Sequence, residues 1–292
     1  MDVGGTKIAT ALVDAAGSVV TKLRAATDRR DATAPVRQIA EMARRAADES
    51  SISWGQITAA GIAVPGIYYA ASGQVWAPNI PGWDHIPLRG ELAGGLPVPV
   101  VIDSDRAAYV TGEQWLGAAR GLTDVIFLAI GTGIGAGIIS GGRLIRGAGD
   151  IAGAVGWFGL DPRKKEIYKS IGCFEAECAG PSLARRAGAG ITTEQVIALA
   201  RRGDGAARAI LDEAVQYLAM GVANLVSVLN PQMIVLGGGL MQAGDLFLEP
   251  LRREMLEWAQ PIAAKQVRIE LSQLGEDAGV LGAARMALSA AH

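Results

Sequence analysis

Two glycine-rich turns, one in each half of the chain, do most to restrict how these 292 residues can fold. The first, Asp2-Val3-Gly4-Gly5-Thr6-Lys7, precedes an apolar run from Ile8 to Val13, a turn at Asp14-Ala15-Ala16-Gly17 and a returning run from Ser18 to Leu23. This is a β-hairpin pattern. The second, Gly131-Thr132-Gly133-Ile134-Gly135-Ala136-Gly137, follows the apolar run Val125 to Ile130 and leads into another hairpin turned by Ser140-Gly141-Gly142. The same arrangement occurring twice predicts two related α/β lobes with mixed sheets covered by helices. The 39 glycines cluster between apolar strands, where close approach of backbone to a ligand is the usual reason for them.

The remaining periodicities fill in both lobes. Val36, Ile39, Ala40, Met42, Ala43 and Ala46 after Pro35 predict a helix, and Ile57 to Val64 a strand. A strand from Val98 to Ile102 leads into a helix from about Arg106 to Trp115. Later, Leu211, Val215, Leu218, Val222, Leu225 and Leu229 form a wide apolar helical face ended by Asn230-Pro231. Strands Met233 to Leu236 and Val267 to Leu271 and a helix from about Ala278 to Ala290 complete the alternation.

Composition narrows the function classes. A net charge of −2, with basic residues scattered except for short groups such as Arg163-Lys164-Lys165, leaves no footprint for nucleic acid. The absence of an uncharged apolar run of roughly 18 residues, and of an export signal, predicts a cytoplasmic protein with no membrane partner. Two cysteines, Cys173 and Cys178, are too few for a disulfide framework and read as free thiols.

Each glycine cluster suits a phosphate. In the first turn the backbone amides of Gly4, Gly5, Thr6 and Lys7 can face phosphate oxygens, and Asp2 can hold magnesium directly or through water. Thr132 and Gly133 offer a second cradle, and Gly237-Gly238-Gly239 stands at the carboxyl end of a strand, where open sheets receive nucleotides. Each motif alone equally describes an ordinary turn.

These three clusters, with Pro65-Gly66, Asn79-Ile80-Pro81-Gly82-Trp83 and Gly275-Glu276-Asp277-Ala278-Gly279 in order between and after them, resemble the ROK family of sugar kinases and related repressors nearly end to end. The resemblance implies an actin-like (ribonuclease H-like) ATPase fold with two lobes and a central cleft. A small lobe of residues 1–116 is expected to be joined by the closing helix 277–292, and a large lobe to span residues 117–276. It further implies transfer of the γ-phosphoryl group of ATP, carried with Mg2+, to a hydroxyl of a hexose, as in a glucokinase. Family repressors carry a helix-turn-helix segment before the first turn; only Met1 stands there in this sequence, which favours the kinase branch and also predicts a first strand shorter than usual.

Phosphoryl transfer to an alcohol asks for alignment, charge neutralisation and a carboxylate near the attacking hydroxyl. The resemblance places that carboxylate at Asp105, with Asp103 as a rival; the structural alternative for either is a helix N-cap. Acceptor contacts carry over to Gly66, Asn79, Ser104 and Glu175. Three positions depart from the family pattern: Ser104 replaces an asparagine, and Ala154 and Trp157 replace a glutamate and a histidine. Many relatives bind zinc through that histidine and three cysteines. Here only Cys173 matches, so the expectation is no zinc and a segment from Phe158 to Ile171 pinned in another way. The altered pocket keeps open a different acceptor, such as an amino sugar or a cyclitol, or a catalytically silent sugar-responsive protein. Glycine turns read only phosphate, so polyphosphate stays an alternative donor, and the resemblance allows a homodimer.

Overall fold

A computed structural model describes residues 1–290, which form two compact units. The first comprises Met1–Gly121, Arg146–Ala152 and the residues from Glu276 onward; the second comprises Leu122–Ile145 and Gly153–Gly275. The first unit runs past residue 116 because the turn after the helix Asp105–Leu116 folds back onto it. There Ala118 N donates to the Glu113 carboxylate at 2.8 Å and Ala119 N to the Glu113 carbonyl at 3.1 Å.

Seven strands belong to the first unit: β1 (Asp2–Val3), β2 (Lys7–Val13), β3 (Val19–Ala26), β4 (Ala60–Val64), β5 (Ile67–Tyr69), β6 (Gln74–Trp76) and β7 (Val100–Ser104). Five of them make a mixed sheet in the order β3-β2-β1-β4-β7. The expected hairpin is the antiparallel pair β2–β3, and β4 and β7 add in parallel. Although β1 has two residues, it is central: Asp2 pairs with Ala9 on one side and with Ala63 on the other. The ribbon β5–β6 was not expected; it depends on Gly66, whose φ is +77° and whose missing Cβ would lie 2.1 Å from the Trp76 carbonyl oxygen.

The second unit repeats the arrangement with β8 (Val125–Ile130), β9 (Ile134–Ser140), β10 (Arg143–Leu144), β11 (Met233–Gly237) and β12 (Arg268–Leu271). Their order, β10-β9-β8-β11-β12, matches that of the first sheet: an antiparallel hairpin on one side, two parallel strands on the other.

Each sheet has its own core. Ile8, Ile39, Ile62, Trp83, Leu88 and Leu92 are fully buried in the first unit. In the second, Leu128, Phe174, Leu218, Val222, Leu236 and Phe247 are. The helix Gly205–Leu229 starts at Asp204, whose carboxylate accepts from Ala207 N at 2.8 Å, and stops at Asn230, left-handed at φ 43° before Pro231. With 25 residues it is long and apolar enough to cross a membrane, but more than half of its apolar window is buried in the core of its unit.

The closing helix, Ala278–Ala290, lies against the helix Asp105–Leu116 and against β4, with glycines at the closest points. A Cβ on Gly282 would sit 1.7 Å from the Ala108 carbonyl oxygen, one on Gly61 1.8 Å from that of Ala283, and one on Gly112 2.6 Å from that of Ala278. Because the obstacles are backbone atoms, a methyl group can be admitted only by moving a helix. Gly282→Ala is expected to cost about 2 kcal/mol or more, as overpacking a tight contact does. Gly90→Ala, at an exposed position of the helix Leu88–Ala93 with nothing within 4 Å of the new Cβ, should be neutral or slightly stabilising. Urea unfolding midpoints of the two variants check the contrast.

Candidate active site

In the first unit the chemistry gathers at the carboxyl ends of β1 and β7. The turn after β1 is closed by Gly4 N donating to Lys7 O at 2.8 Å. Thr27 holds it from the side: its hydroxyl donates to Gly4 O at 2.7 Å and its amide to Thr6 O at 3.0 Å. Asn79 stands against the turn, since a Cβ on Gly5 would lie 2.8 Å from the Asn79 carbonyl oxygen and 3.2 Å from its Nδ2. Thr6 and Lys7 are exposed. Lys7 Nζ bonds Glu276 Oε1 at 2.9 Å, and Arg24 pairs with the same carboxylate. Such exposed pairs hold weakly, so Lys7 is free to exchange Glu276 for a phosphate.

Asp105 is the first residue of its helix and does not cap it. Ser104 does, its hydroxyl oxygen accepting from Ala107 N at 3.2 Å, which leaves the hydroxyl hydrogen to donate elsewhere. Asp103 is also engaged: Oδ2 takes Arg146 Nε at 2.8 Å and Nη2 at 2.7 Å, and Oδ1 accepts from Ser104 N at 2.8 Å. The cap and the ion pair are thus both filled by neighbours of Asp105. Its own Oδ1 accepts from Arg106 N at 2.7 Å, while the Arg106 guanidinium reaches the Gly66 carbonyl at 3.0 Å.

Burial, and after it the nearby charge of Asp2, push the Asp105 carboxyl up to about 7; the Arg106 cation and amide pull the other way without prevailing. Asp2 is raised too, by burial against the opposing pull of the N-terminal amine and Lys7. The Tyr109 phenol lies well above its ordinary range through burial and the charges of Asp2 and Asp105, which puts all three groups in one poorly solvated spot. Gly279 makes the spot roomy enough: a Cβ there would fall 2.2 Å from Asp2 Oδ2.

In the second unit the turn after β8 is closed by Gly131 N donating to Gly133 O at 2.9 Å, and the Gly131 carbonyl accepts from Gly180 N at 2.8 Å. Glu175 is drawn against this turn. Its Oε2 accepts from Ile134 N at 2.8 Å, and missing side chains at Gly133 and Gly156 leave the space it fills. Burial raises its pKa, the Ile134 amide opposing. Thr132 is exposed at the tip. Gly237 and Gly238 end β11 beside the end of β8: a Cβ on Gly237 would enter the Phe127 ring at 2.2 Å, and Gly238, at φ +91°, lies against the Ile130 carbonyl.

Of the residues singled out in the sequence, Asp2, Gly4, Gly5, Thr6, Lys7, Asn79, Ser104 and Asp105 group in the first unit, with Gly66 tied to them through Arg106. Thr132, Gly133, Glu175, Gly237 and Gly238 group in the second. Sequence reasoning did not find Arg146, which is 43 positions from its partner Asp103 and carries no local signal.

The raised Asp105 carboxyl has a stability consequence. The folded protein holds this proton up to about pH 7, whereas an unfolded chain releases it near pH 4. The stabilising contribution of Asp105 is therefore complete below about pH 4 and lost as pH rises through 7. Asp105→Asn, which keeps the acceptor for Arg106 N, should raise the unfolding temperature by a few degrees at pH 8 and leave it unchanged at pH 4; thermal scans at both pH values check this.

The ROK family model matches residues 1–290. A glucokinase of Halalkalibacterium halodurans is 30% identical, with 97% of this chain and 92% of the relative covered. The ROK hexokinase of Thermus thermophilus superimposes with a TM-score of 0.85 at 31% identity, covering 99% of this chain and 97% of the other. A ROK glucokinase from Streptomyces griseus, solved with glucose and AMPPNP, gives 0.81 at 31% identity, covering 99% and 98%. The fold is the α/β, actin-like ATPase fold with mixed sheets. The matched length and the two repeated sheets place this chain in the ROK family.

Proposed function

We propose that this protein is an ATP-dependent sugar kinase that moves the γ-phosphoryl group to a hydroxyl of a hexose. The observation that carries the reading is the state of Asp105: excused from capping by Ser104, from ion pairing by Asp103, and raised by its surroundings to about 7. A carboxylate so placed can accept the proton of an attacking hydroxyl near neutral pH. Relatives named glucokinase, one of them solved with glucose and an ATP analogue, support the same chemistry.

In this reading the amides of Gly4, Gly5 and Thr6 and the Lys7 ammonium bind phosphate oxygens, and Thr132, Gly133, Gly237 and Gly238 offer backbone to the rest of the nucleotide. The magnesium that arrives with ATP supplies charge neutralisation, and the Asp2 carboxylate, a hard oxygen donor, is the residue of this unit suited to hold it. Asp105 takes the acceptor proton while Asn79, Ser104 and Glu175 orient neighbouring hydroxyls. The cytoplasm, where ATP is plentiful, is the setting that fits.

Two substitutions bear on the acceptor. Ala154 offers no carboxylate, and Trp157 is 57% exposed, so its indole is not core and is available for stacking on a sugar ring. An acceptor with fewer polar anchors on that side, such as another polyol, is the second reading. ADP release measured with glucose and a panel of hexoses, amino sugars and cyclitols separates the two, because efficient turnover of glucose removes the second. Running ATP against polyphosphate in the same assay identifies the donor.

Asp105→Ala at saturating ATP and acceptor should lose at least ~10²-fold in turnover, as expected for removing a general base. Near-native turnover in that variant would end the assignment. In the wild type, kcat/KM should climb as pH passes through about 7 and level off above it, and Asp2→Asn should move that limb to lower pH by removing the charge that helps raise Asp105.

A further inference from the structure

The second unit holds a polar assembly that the proposed chemistry does not use. It joins residues 158–171 to the short helix Cys173–Cys178, which carries Glu175. Two carboxylates lie at its centre, the side chains of Asp161 and Glu177, 4% and 5% exposed. Asp161 accepts from Arg163 N and Nε at 2.9 and 3.0 Å, and the Tyr217 hydroxyl stands 3.3 Å away. Glu177 accepts from Lys165 Nζ and from Arg186 Nη2, each at 2.6 Å. The Tyr168 hydroxyl bridges the two, donating to Glu177 and lying 3.0 Å from Asp161.

The assembly is close to neutral. Arg163, Lys165 and Arg186 face Asp161, Glu177 and Glu213, the last 3.2 Å from Arg186. Burial alone would raise Glu177, but Lys165, Tyr168 and Arg186 outweigh it and hold the carboxyl below its usual range. The backbone joins in: the Glu177 carbonyl accepts from the Ser182 hydroxyl at 3.0 Å and from Arg186 Nη1 at 2.5 Å. Charges this deeply buried persist only when paired and hydrogen-bonded, and a network satisfied at every member fixes one geometry.

The same region is where the family resemblance would place a zinc ion, and the residues present do not fit one. Trp157 occupies the histidine position. Cys178 donates its thiol to the Phe174 carbonyl at 3.3 Å, and burial holds that thiol well above its usual range, away from the thiolate zinc requires. Among the described residues no three His, Cys, Asp or Glu side chains converge as a metal site.

We infer that the Asp161–Tyr168–Glu177 network takes the place of a metal in this chain, holding residues 158–171 against the helix Cys173–Cys178 and thereby aiming Glu175 at the acceptor. Asp161, Tyr168 and Glu177 are positioning residues. Glu175 is two residues from Glu177 on a helix of six, with its far end fixed by Ile134 N, so a loosened Glu177 shifts the acceptor contact first. The assignment of Glu175 to the acceptor rests on the kinase reading; the metal-free anchoring does not.

The test has two arms. Purified wild-type protein is assayed for bound zinc by elemental analysis and unfolded thermally with EDTA and with added zinc; no bound zinc and an unchanged transition are expected. Stoichiometric zinc, or a transition raised by zinc, overturns the inference. In the second arm, Tyr168→Phe, which keeps the ring and its packing, and Glu177→Gln are measured with both substrates. Losing the partners that orient a metal's ligands typically costs 10–100-fold, and at the low end of that range acceptor KM should rise about 10-fold here while KM for ATP stays within about twofold. Equal acceptor KM in Tyr168→Phe and wild type, or equal rises for both substrates, overturns the positioning role. A wild-type protein without acceptor-dependent ATP turnover would sink the kinase reading instead, and the zinc and unfolding measurements would still decide what anchors the segment.

Discussion

Asp2 and Asp105 share one poorly solvated spot, and much of the first unit serves to keep them there. Two carboxylates in such a place repel each other and resist ionisation, so their proximity opposes folding and has to be imposed by the surrounding packing. The imposition comes from backbone. The closing helix meets the helix of Asp105 and the strand beside Asp2 at Gly282, Gly112 and Gly61, and at Gly279 it yields the volume that the Asp2 carboxylate occupies. Side chains at those four points, two on the closing helix, one on the helix of Asp105 and one on β4, would hold the closing helix off.

The parts of this arrangement that depend on local chemistry could be read from residues in order. Hairpin turns, the apolar periods of β2, β8 and β11, and the stop at Asn230-Pro231 are short-range signals, and the structure has each of them. So is the strand-to-helix junction at Asp105. Its capping residue was less accessible: Asp103 and Asp105 both read as caps, the cap is Ser104 between them, and Arg146, which engages Asp103, comes from a segment that nothing in the sequence sets apart. The Asp161–Glu177 network was hidden for the same reason. Its members span positions 161 to 217, and no periodicity links a tyrosine on one short helix to a carboxylate on the next. The ribbon β5–β6 went unseen because its strands have three residues each, too few to show alternation.

The duplicated sheets carry different duties. In the first unit the glycine turn lies beside buried acids and beside Asn79, so poorly solvated charge concentrates there. In the second the corresponding turn is tied to Glu175 through Ile134 N, a structural bond that also fixes a carboxylate. One sheet topology thus supplies a glycine turn twice, while the side chains at its edges differ. Departures from the family pattern such as Ala154 and Trp157 then touch the second unit without disturbing the acids of the first.

The closing helix has an implication for how the chain acquires its shape. Residues 122–275, apart from the short stretch 146–152, form a body with its own sheet and core, and they leave the ribosome before residues 276–290 do. The N-terminal half must wait through that interval with the Gly61 and Gly112 surfaces bare, because the helix that covers them is made after the second body. Assembly order is therefore inverted with respect to synthesis order: the later-made body can be complete first, and the earlier-made one is sealed only once the helix Ala278–Ala290 has been made.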